Sequence, residues 1–119
     1  MTAVSIFRSL PVQFPVDLHV MERHPLGSQA IIPMNGAEYL VAVAPPGVFD
    51  PERIRVFLAG AAQGVNYRRG VWHHPLIALH RTGDFLVVDR KGDGENCDVV
   101  DLELDIRVAA TPGRLDEVT

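Results

Sequence analysis

The sequence predicts an all-β domain, built as a sandwich or a barrel of short strands. Nine prolines and ten glycines are scattered through the 119 residues, at intervals that would interrupt most helices. Between them lie short runs rich in β-branched and aromatic residues, which favour strands. A helical period is nearly absent, and turn signals separate the runs, so we expect one sheet-rich fold.

Turn residues divide the chain into runs with the alternation or the apolar content of strands. Residues 16–21 alternate apolar and polar side chains, so one face of this strand should be buried. Residues 39–44 are all apolar, which indicates a central strand. The strong turn signal Asn35-Gly36 precedes them. Residues 30–33 form a short apolar run, and we interpret these runs as strands: 3–7, 16–20, 39–44, 71–80, 84–90 and 99–108.

The region after residue 49 leaves two interpretations open. Asp50 could be the N-cap of a helix that has Pro51 at its first position. Residues 54–59 could equally form a strand, because their apolar content suits either element.

Length and composition indicate a single globular domain. Hydrophobic residues make up 47% of the chain and charged residues 22%, as in ordinary globular proteins. A chain of 119 residues corresponds to about one domain. We therefore expect one domain over residues 1–110. The polar, acidic residues 111–119 lack periodicity, and we expect them to form a flexible tail.

Charge and cysteine content exclude several classes of partner. Eleven basic against fifteen acidic residues give a net charge of −4, which disfavours general nucleic-acid binding. Cys97 is the sole cysteine, so no intramolecular disulfide can form and a reducing compartment is expected. No apolar run approaches the ~18–20 residues of a membrane span, and no signal peptide is recognisable. We expect a cytoplasmic protein with neither nucleic-acid nor membrane partners.

The first group of candidate functional residues follows residue 21. Glu22 and His24 share parity on a strand, so both side chains should point to one face. Gln29 follows five residues later. If that face lines the interior of a barrel, the side chains of Glu22 and His24 converge. The alternative is a capped turn with a solvated Glu22–Arg23 pair.

The second group contains two histidines. His73 and His74 are adjacent, so on a strand they face opposite sides and one of them easily enters a pocket. Imidazole serves as a metal ligand or as a base near neutral pH. The alternative is one core histidine and one surface histidine.

The third group, residues 89–98, forms an acidic loop whose spacing does not fit an EF-hand. Asp89-Arg90 is interpreted as a structural ion pair and Cys97 as a structural thiol. The sequence contains no P-loop, GxGxxG motif, GxSxG motif or zinc-finger spacing.

The spacing of these groups is similar to the cupin metal motifs. Glu22-x-His24, four residues, Gln29, six residues and Gly36 resemble the first motif, with two ligand types changed. Gly70 two residues before Trp72-His73 resembles the second motif, although Ile77 replaces its asparagine. The resemblance to the ureidoglycolate lyase family is more specific and covers about residues 5–108. It rests on these runs: 22–29, 63–67, 71–76, 84–90 and 96–98. Members of the family carry a further N-terminal segment, so we expect this chain to be N-terminally short.

The resemblance implies a cupin-like double-stranded β-helix, that is, a jelly-roll barrel, and a homodimer. It implies a carbon–nitrogen lyase of allantoin and purine nitrogen catabolism, which splits (S)-ureidoglycolate into glyoxylate and urea. It also implies a divalent metal ion, with nickel suggested, and no organic cofactor. Two alternatives remain: a ureidoglycolate amidohydrolase that releases ammonia, and a non-catalytic barrel that binds a small molecule.

The resemblance and the residue chemistry together name the candidate site. The expected catalytic residues, which are also the candidate metal ligands, are Glu22, His24, Gln29 and His73. A neutral amide at Gln29 in place of the cupin glutamate predicts weaker metal binding. Arginine forks bind carboxylates well, and three arginines remain open as the clamp for the substrate. The expected substrate-binding residues are Arg23, Asn66, Tyr67, Arg68, Arg90 and Asp98.

Overall fold

The computed structural model describes residues 1–94 and 96–115, and strands make up most of them. One short 3₁₀ turn, Pro51–Arg53, lies between the fourth and fifth strands. No helix in the described ranges is long and apolar enough to cross a membrane. The strands are β1 (Thr2–Ser9), β2 (Val16–Arg23), β3 (Gln29–Pro33), β4 (Glu38–Ala44), β5 (Arg55–Ala59), β6 (Val65–Tyr67), β7 (Trp72–His73), β8 (Ile77–Leu79), β9 (Gly83–Arg90) and β10 (Asp98–Val108).

The strands form two antiparallel sheets that pack face to face. The first sheet has the order β1-β9-β3-β6, and the second has the order β10-β2-β7-β4-β5, with β8 also paired to β4. Apart from β4 and β5, strands that are neighbours within a sheet are not consecutive in sequence, so the chain crosses repeatedly between the sheets. The all-β prediction is confirmed.

The core between the sheets is apolar and centred on β4. Tyr39 and Val41 of β4 pack against Ile31, Phe85 and Val87 of the opposite sheet, and all five are buried. The rings of Tyr39 and Phe85 meet edge to face, with centroids 5.1 Å apart, a favoured aromatic geometry. Since β4 pairs with β5, β7 and β8, the predicted central strand is confirmed.

Two local predictions are resolved by the structure. After residue 49, Asp50 caps the 3₁₀ turn by accepting a hydrogen bond of 3.0 Å from the Glu52 amide, and β5 then begins at Arg55. The prediction of one continuous strand over 71–80 is wrong. It is interrupted between β7 and β8, because Pro75 has no amide hydrogen to donate to a sheet.

The predicted tail over residues 111–119 divides into two parts. The Leu58 amide donates to the Gly113 carbonyl at 2.9 Å, and Leu115 packs on the apolar core. Residues 116–119 lie outside the described residues, so the predicted flexibility stays a prediction there.

Candidate metal and active site

Glu22, His24 and His73 converge at one end of the sheet interior. One ligand atom from each lies within 4.8 Å of the other two. Glu22 on β2 stands directly opposite His73 on β7 in the antiparallel register, and His24 follows the last residue of β2. The prediction that Glu22 and His24 point to one face is confirmed. Backbone pairing, rather than closeness in sequence, brings His73 to them.

The His73 ring is stacked between two other rings. Tyr67 lies parallel to it, with centroids 4.2 Å apart and an interplanar angle of 2°. His24 lies on another side of the ring with a centroid distance of 5.2 Å and an angle of 27°. His73 is only 1% exposed. Its ring therefore has little freedom to turn, which suits a ligand that must hold one direction.

The nitrogen atoms of the two histidines fit a metal ion. His24 Nδ1 lies 2.8 Å from the Asn96 carbonyl oxygen, which can only accept, so Nδ1 carries the proton and Nε2 the lone pair. His24 Nε2 and both ring nitrogens of His73 are buried without a hydrogen-bond partner among the described residues. Such groups are uncommon and destabilising. Two imidazole nitrogens and a carboxylate oxygen are ligands that divalent zinc, nickel or copper accepts.

The protonation state of His73 is also compatible with metal binding. Burial, and to a smaller extent the neighbouring His24, lower the pKa of His73 to about 4. At neutral pH the ring is therefore uncharged. Only the neutral imidazole offers a lone pair to a metal.

Glu22 contacts two partners with its two oxygens. Oε1 lies 3.9 Å from His73 Nδ1, and the Cys97 thiol donates to Oε2 at 3.8 Å. Burial, and then the Glu22 carboxylate, raise the pKa of the Cys97 thiol. This keeps the sulfur in its protonated form, which is a poor metal ligand. Cys97 thus borders the cluster, although the sequence predicted only a structural thiol.

Gln29 lies beside the cluster and is held by a residue that sequence reasoning missed. Its side-chain nitrogen donates to Asp89 Oδ2 at 3.4 Å. Gln29, Glu22 and His73 line a cavity of about 70 Å³, which is room for about two waters at ~30 Å³ each. The other oxygen of Asp89 is buried without a hydrogen-bond partner in the described ranges. Gln29 as a metal ligand stays a prediction.

Asp89 could have been found from the sequence. Phe85 and Val87 are buried at alternate positions of β9 and face the core, so the same period of two places Asp89 on the inner face. The predicted ion pair between Asp89 and Arg90 does not form in the described part of the chain. Neighbouring residues on a strand point to opposite faces, and Arg90 binds elsewhere.

Two of the predicted substrate-binding residues bind each other away from the cluster. Arg23 Nε donates to Asp98 Oδ2 at 2.8 Å, and its guanidinium lies 4.6 Å from the centre of the Trp72 ring. Trp72 precedes His73 on β7 and so faces the opposite side of the sheet. The structure does not bring Arg23 and Asp98 to the Glu22–His24–His73 cluster.

Arg90 is also engaged by the protein itself. Nη1 donates to the Asn96 side-chain oxygen at 2.8 Å, and Nη2 donates to the Asp93 carbonyl at 2.7 Å. Both arms of its guanidinium fork are thereby used in the loop after β9.

The remaining three candidates lie together on another side of the stacked rings. Asn66, Tyr67 and Arg68 line an open groove of about 370 Å³ with Val43. Asn66 and Arg68 are exposed, whereas Tyr67 is buried and stacks on His73. Burial, the largest cause, raises the pKa of Tyr67 far above its ordinary value, so its phenol stays protonated. Tyr67 therefore connects the groove to the cluster.

Comparison with known proteins decides the family. A family model described as ureidoglycolate lyase matches residues 1–109. The chain belongs to the ureidoglycolate lyase family. The resemblance carried by the sequence motifs is thereby confirmed.

Curated relatives named ureidoglycolate lyase cover most of this chain. The protein from Azotobacter vinelandii is 54% identical over 96 residues, which are 80% of this chain and 58% of that protein. The one from Burkholderia cepacia is 54% identical over 101 residues, covering 84% and 57%. The one from Pseudomonas syringae is 51% identical over 96 residues, covering 80% and 56%. The chain thus spans just over half the length of the curated relatives it matches.

A solved structure identifies the fold class. RmlC from Streptococcus suis, in complex with dTDP-D-xylose, aligns with a TM-score of 0.52 at 15% identity. The alignment covers 79% of this chain and 45% of that one. At this identity the likeness concerns the fold alone. It confirms the predicted cupin-like jelly-roll barrel.

Removal of His73 should abolish tight binding of a divalent ion, because it takes away one member of the three-residue cluster. In His73→Ala we expect the affinity for Co²⁺ or Ni²⁺ to fall by more than the ~10–100-fold that outer-sphere changes cause. Isothermal titration measures it. His19→Ala, which alters an exposed histidine of β2, is the matched control.

Equal affinities of His73→Ala and the unaltered chain would contradict the metal site. Circular dichroism checks that the variant folds. Glu22→Gln, which keeps the shape of the side chain, tests the same cluster if His73→Ala does not fold.

Proposed function

We propose that this chain forms the catalytic domain of a ureidoglycolate lyase, which splits (S)-ureidoglycolate into glyoxylate and urea. The observation that carries the proposal is the convergence of Glu22, His24 and His73 in a member of this family. Whole relatives are longer than this chain, so the activity is proposed for it from its own residues.

The reaction needs a small set of groups. The C–N bond between the hydroxyl-bearing carbon and the ureido nitrogen breaks, and the C–O bond becomes a carbonyl. The hydroxyl loses its proton, and the departing urea nitrogen gains one, so the proton count balances. A cation must also hold the substrate carboxylate.

Glu22, His24 and His73 would hold a divalent metal ion, of which nickel is one candidate, and Gln29 would border it. When bound, such an ion would act as a Lewis acid that polarises the substrate hydroxyl and lowers its pKa. The chain then keeps the ligands in place, with the His73 ring packed against Tyr67. Gln29, anchored by Asp89, presents its amide to the same cavity.

The same geometry supports a metal-free alternative. His24 Nε2 bears a lone pair, because Nδ1 donates to Asn96. His24 is partly exposed, whereas His73 is only 1% exposed, so the His24 ring lies nearer to solvent, although its Nε2 atom is itself buried. Its imidazole would accept the hydroxyl proton and return it to the nitrogen of the leaving urea. Chelation separates the two versions.

Arg68 is the arginine we assign to the substrate carboxylate. The other two candidates are occupied: Arg23 pairs with Asp98, and Arg90 binds the loop after β9. Arg68 is exposed in the groove that Tyr67 connects to the cluster. Asn66, in the same groove, would hydrogen-bond the ureido group through its amide.

The test of the proposed function is a product assay. The purified chain is incubated with (S)-ureidoglycolate, with and without added Ni²⁺, and glyoxylate, urea and ammonia are measured together. We expect equal amounts of glyoxylate and urea, and a loss of activity in excess chelator that Ni²⁺ restores. His24→Ala should reduce turnover in either version.

The other outcomes of this assay are equally informative. Ammonia in place of urea would establish the hydrolytic alternative. The absence of any product would favour a non-catalytic barrel that binds a small molecule. Full activity in excess chelator, with no metal by elemental analysis, would establish the metal-free version.

Replacing Arg68 should weaken substrate binding more than it slows the chemical step. A hydrogen bond to a charged group contributes about 1.5–3 kcal/mol, so Arg68→Ala should raise KM by ~10–100-fold. Arg69→Ala removes the same charge one residue away and is the control. Equal KM values for the two variants would remove Arg68 from the substrate site.

We also propose that the chain is cytoplasmic and forms a homodimer through the outer face of the first sheet. Val4 and Ile6 are 66% and 64% exposed, and Ile32 is 41% exposed. The strand register aligns Ile6, Leu86 and Ile32 in one row. This row is uncharged and apolar, with the Arg8–Asp84 ion pair beside it, and such a row can face its own copy, as a two-fold interface requires. The free, exposed thiol of Cys97 fits a reducing compartment.

A charge on this face should dissociate the dimer. Ile6→Lys places two like charges near the two-fold axis, so we expect light scattering to give half the mass of the unaltered chain. Leu104→Lys, at an 84% exposed position on β10, should leave the mass unchanged. A monomeric unaltered chain would refute the dimer.

A further inference from the structure

We propose that Arg90 and the side chain of Asn96 are positioning residues for His24: they set its tautomer and the direction of its Nε2 lone pair. The inference deepens the proposed function, since it concerns the same site. It assigns Arg90 a role other than the substrate clamp that the sequence suggested.

The first step is the contact between His24 and the loop after β9. Nδ1 of His24 lies 2.8 Å from the Asn96 carbonyl oxygen, and this contact requires the proton on Nδ1. A neutral histidine in water favours the proton on Nε2 instead. The Asn96 carbonyl therefore selects the tautomer whose Nε2 can ligate a metal or accept a proton.

The second step is what holds that carbonyl in place. The Asn96 side chain accepts a hydrogen bond from Arg90 Nη1 at 2.8 Å and donates one to the Gly92 carbonyl at 3.0 Å. Arg90 Nη2 donates to the Asp93 carbonyl at 2.7 Å. The planar guanidinium of Arg90 thus binds two residues of the loop, Asp93 and Asn96. Lysine could not reproduce the two divergent bonds.

The third step is the close packing of Arg90 against the turn that follows His24. A Cβ atom at Gly27 would lie 2.8 Å from Cβ of Arg90, a distance that requires a shift of one of the two segments. The absence of a side chain at Gly27 lets the base of Arg90 lie against the segment that carries His24. The donor and the acceptor of the His24–Asn96 contact are therefore held by one residue.

The experiment reads the tautomer directly. Imidazole ¹⁵N–¹H correlation spectra are recorded at pH 8 on the metal-free chain labelled at histidine, and His24→Gln identifies the His24 signals. We expect the Nδ1–H form in the unaltered chain. Asn96→Ala, which keeps the backbone carbonyl but removes both side-chain bonds, should shift His24 towards the Nε2–H form, as should Arg90→Lys.

A second readout measures the consequence for metal. The affinity for Co²⁺ should fall by ~10–100-fold in both variants, as for other partners that orient metal ligands. Lys91→Ala, which removes an exposed cation next to Arg90, should change neither the tautomer nor the affinity. Gly27→Ala should reproduce the effect of Arg90→Lys, because it displaces the same side chain.

Two results would overturn the inference. One is an Nε2–H tautomer of His24 in the unaltered chain. The other is an unaltered tautomer in folded Asn96→Ala and Arg90→Lys, even if metal affinity falls, since that pattern describes a merely structural role. The tautomer is measured without substrate and without metal, both in the unaltered chain and in the variants. Failure of the lyase assay can therefore be distinguished from failure of this inference.

Discussion

The burial of His73 between the two sheets is the constraint on which the site depends. Its register with Glu22 places the carboxylate opposite it, and its stacking on Tyr67 joins the two sheets across the interior. A buried imidazole with two unpartnered nitrogens destabilises a fold unless something binds them. The apolar core around Tyr39 and Phe85, which also contains Tyr67, offsets this cost. The same apolar cluster thus stabilises the barrel and packs against the His73 ring.

The same constraint explains why the site draws on distant segments. His73 needs β2 for Glu22, and β6 for Tyr67, which stands opposite Gln29 in the register of β3. Two neighbouring side chains are then held by residues of other segments: His24 by the Asn96 carbonyl, and Gln29 by Asp89. Asp89 lies near the end of β9, and Asn96 lies in the loop that follows this strand. The end of β9 and its loop therefore orient two side chains of the site from outside the strands that carry Glu22 and His73.

Much of the fold could be predicted from local patterns. The alternation over residues 16–21 corresponds to β2, because a strand with one buried face has a period of two. The apolar run at 39–44 corresponds to β4, which is buried on both faces as a central strand. The failures have local causes as well. Pro75 divides the run 71–80, and β6, only three residues long, has too short a pattern to recognise. Its existence depends on pairing with β3.

The sequence by itself determined the fold class and the family, and it predicted Glu22, His24 and His73 as candidate site residues, since strand parity and motif spacing are properties of the chain. It left three arginines open as the carboxylate clamp, and only the tertiary structure shows that Arg23 and Arg90 are engaged by Asp98 and by the loop after β9. The contact of His24 with Asn96 joins residues 72 positions apart through a backbone carbonyl. Every residue has a backbone carbonyl, so no pattern of side chains in the sequence could have predicted this contact. Long-range backbone geometry decided which nitrogen of His24 is free.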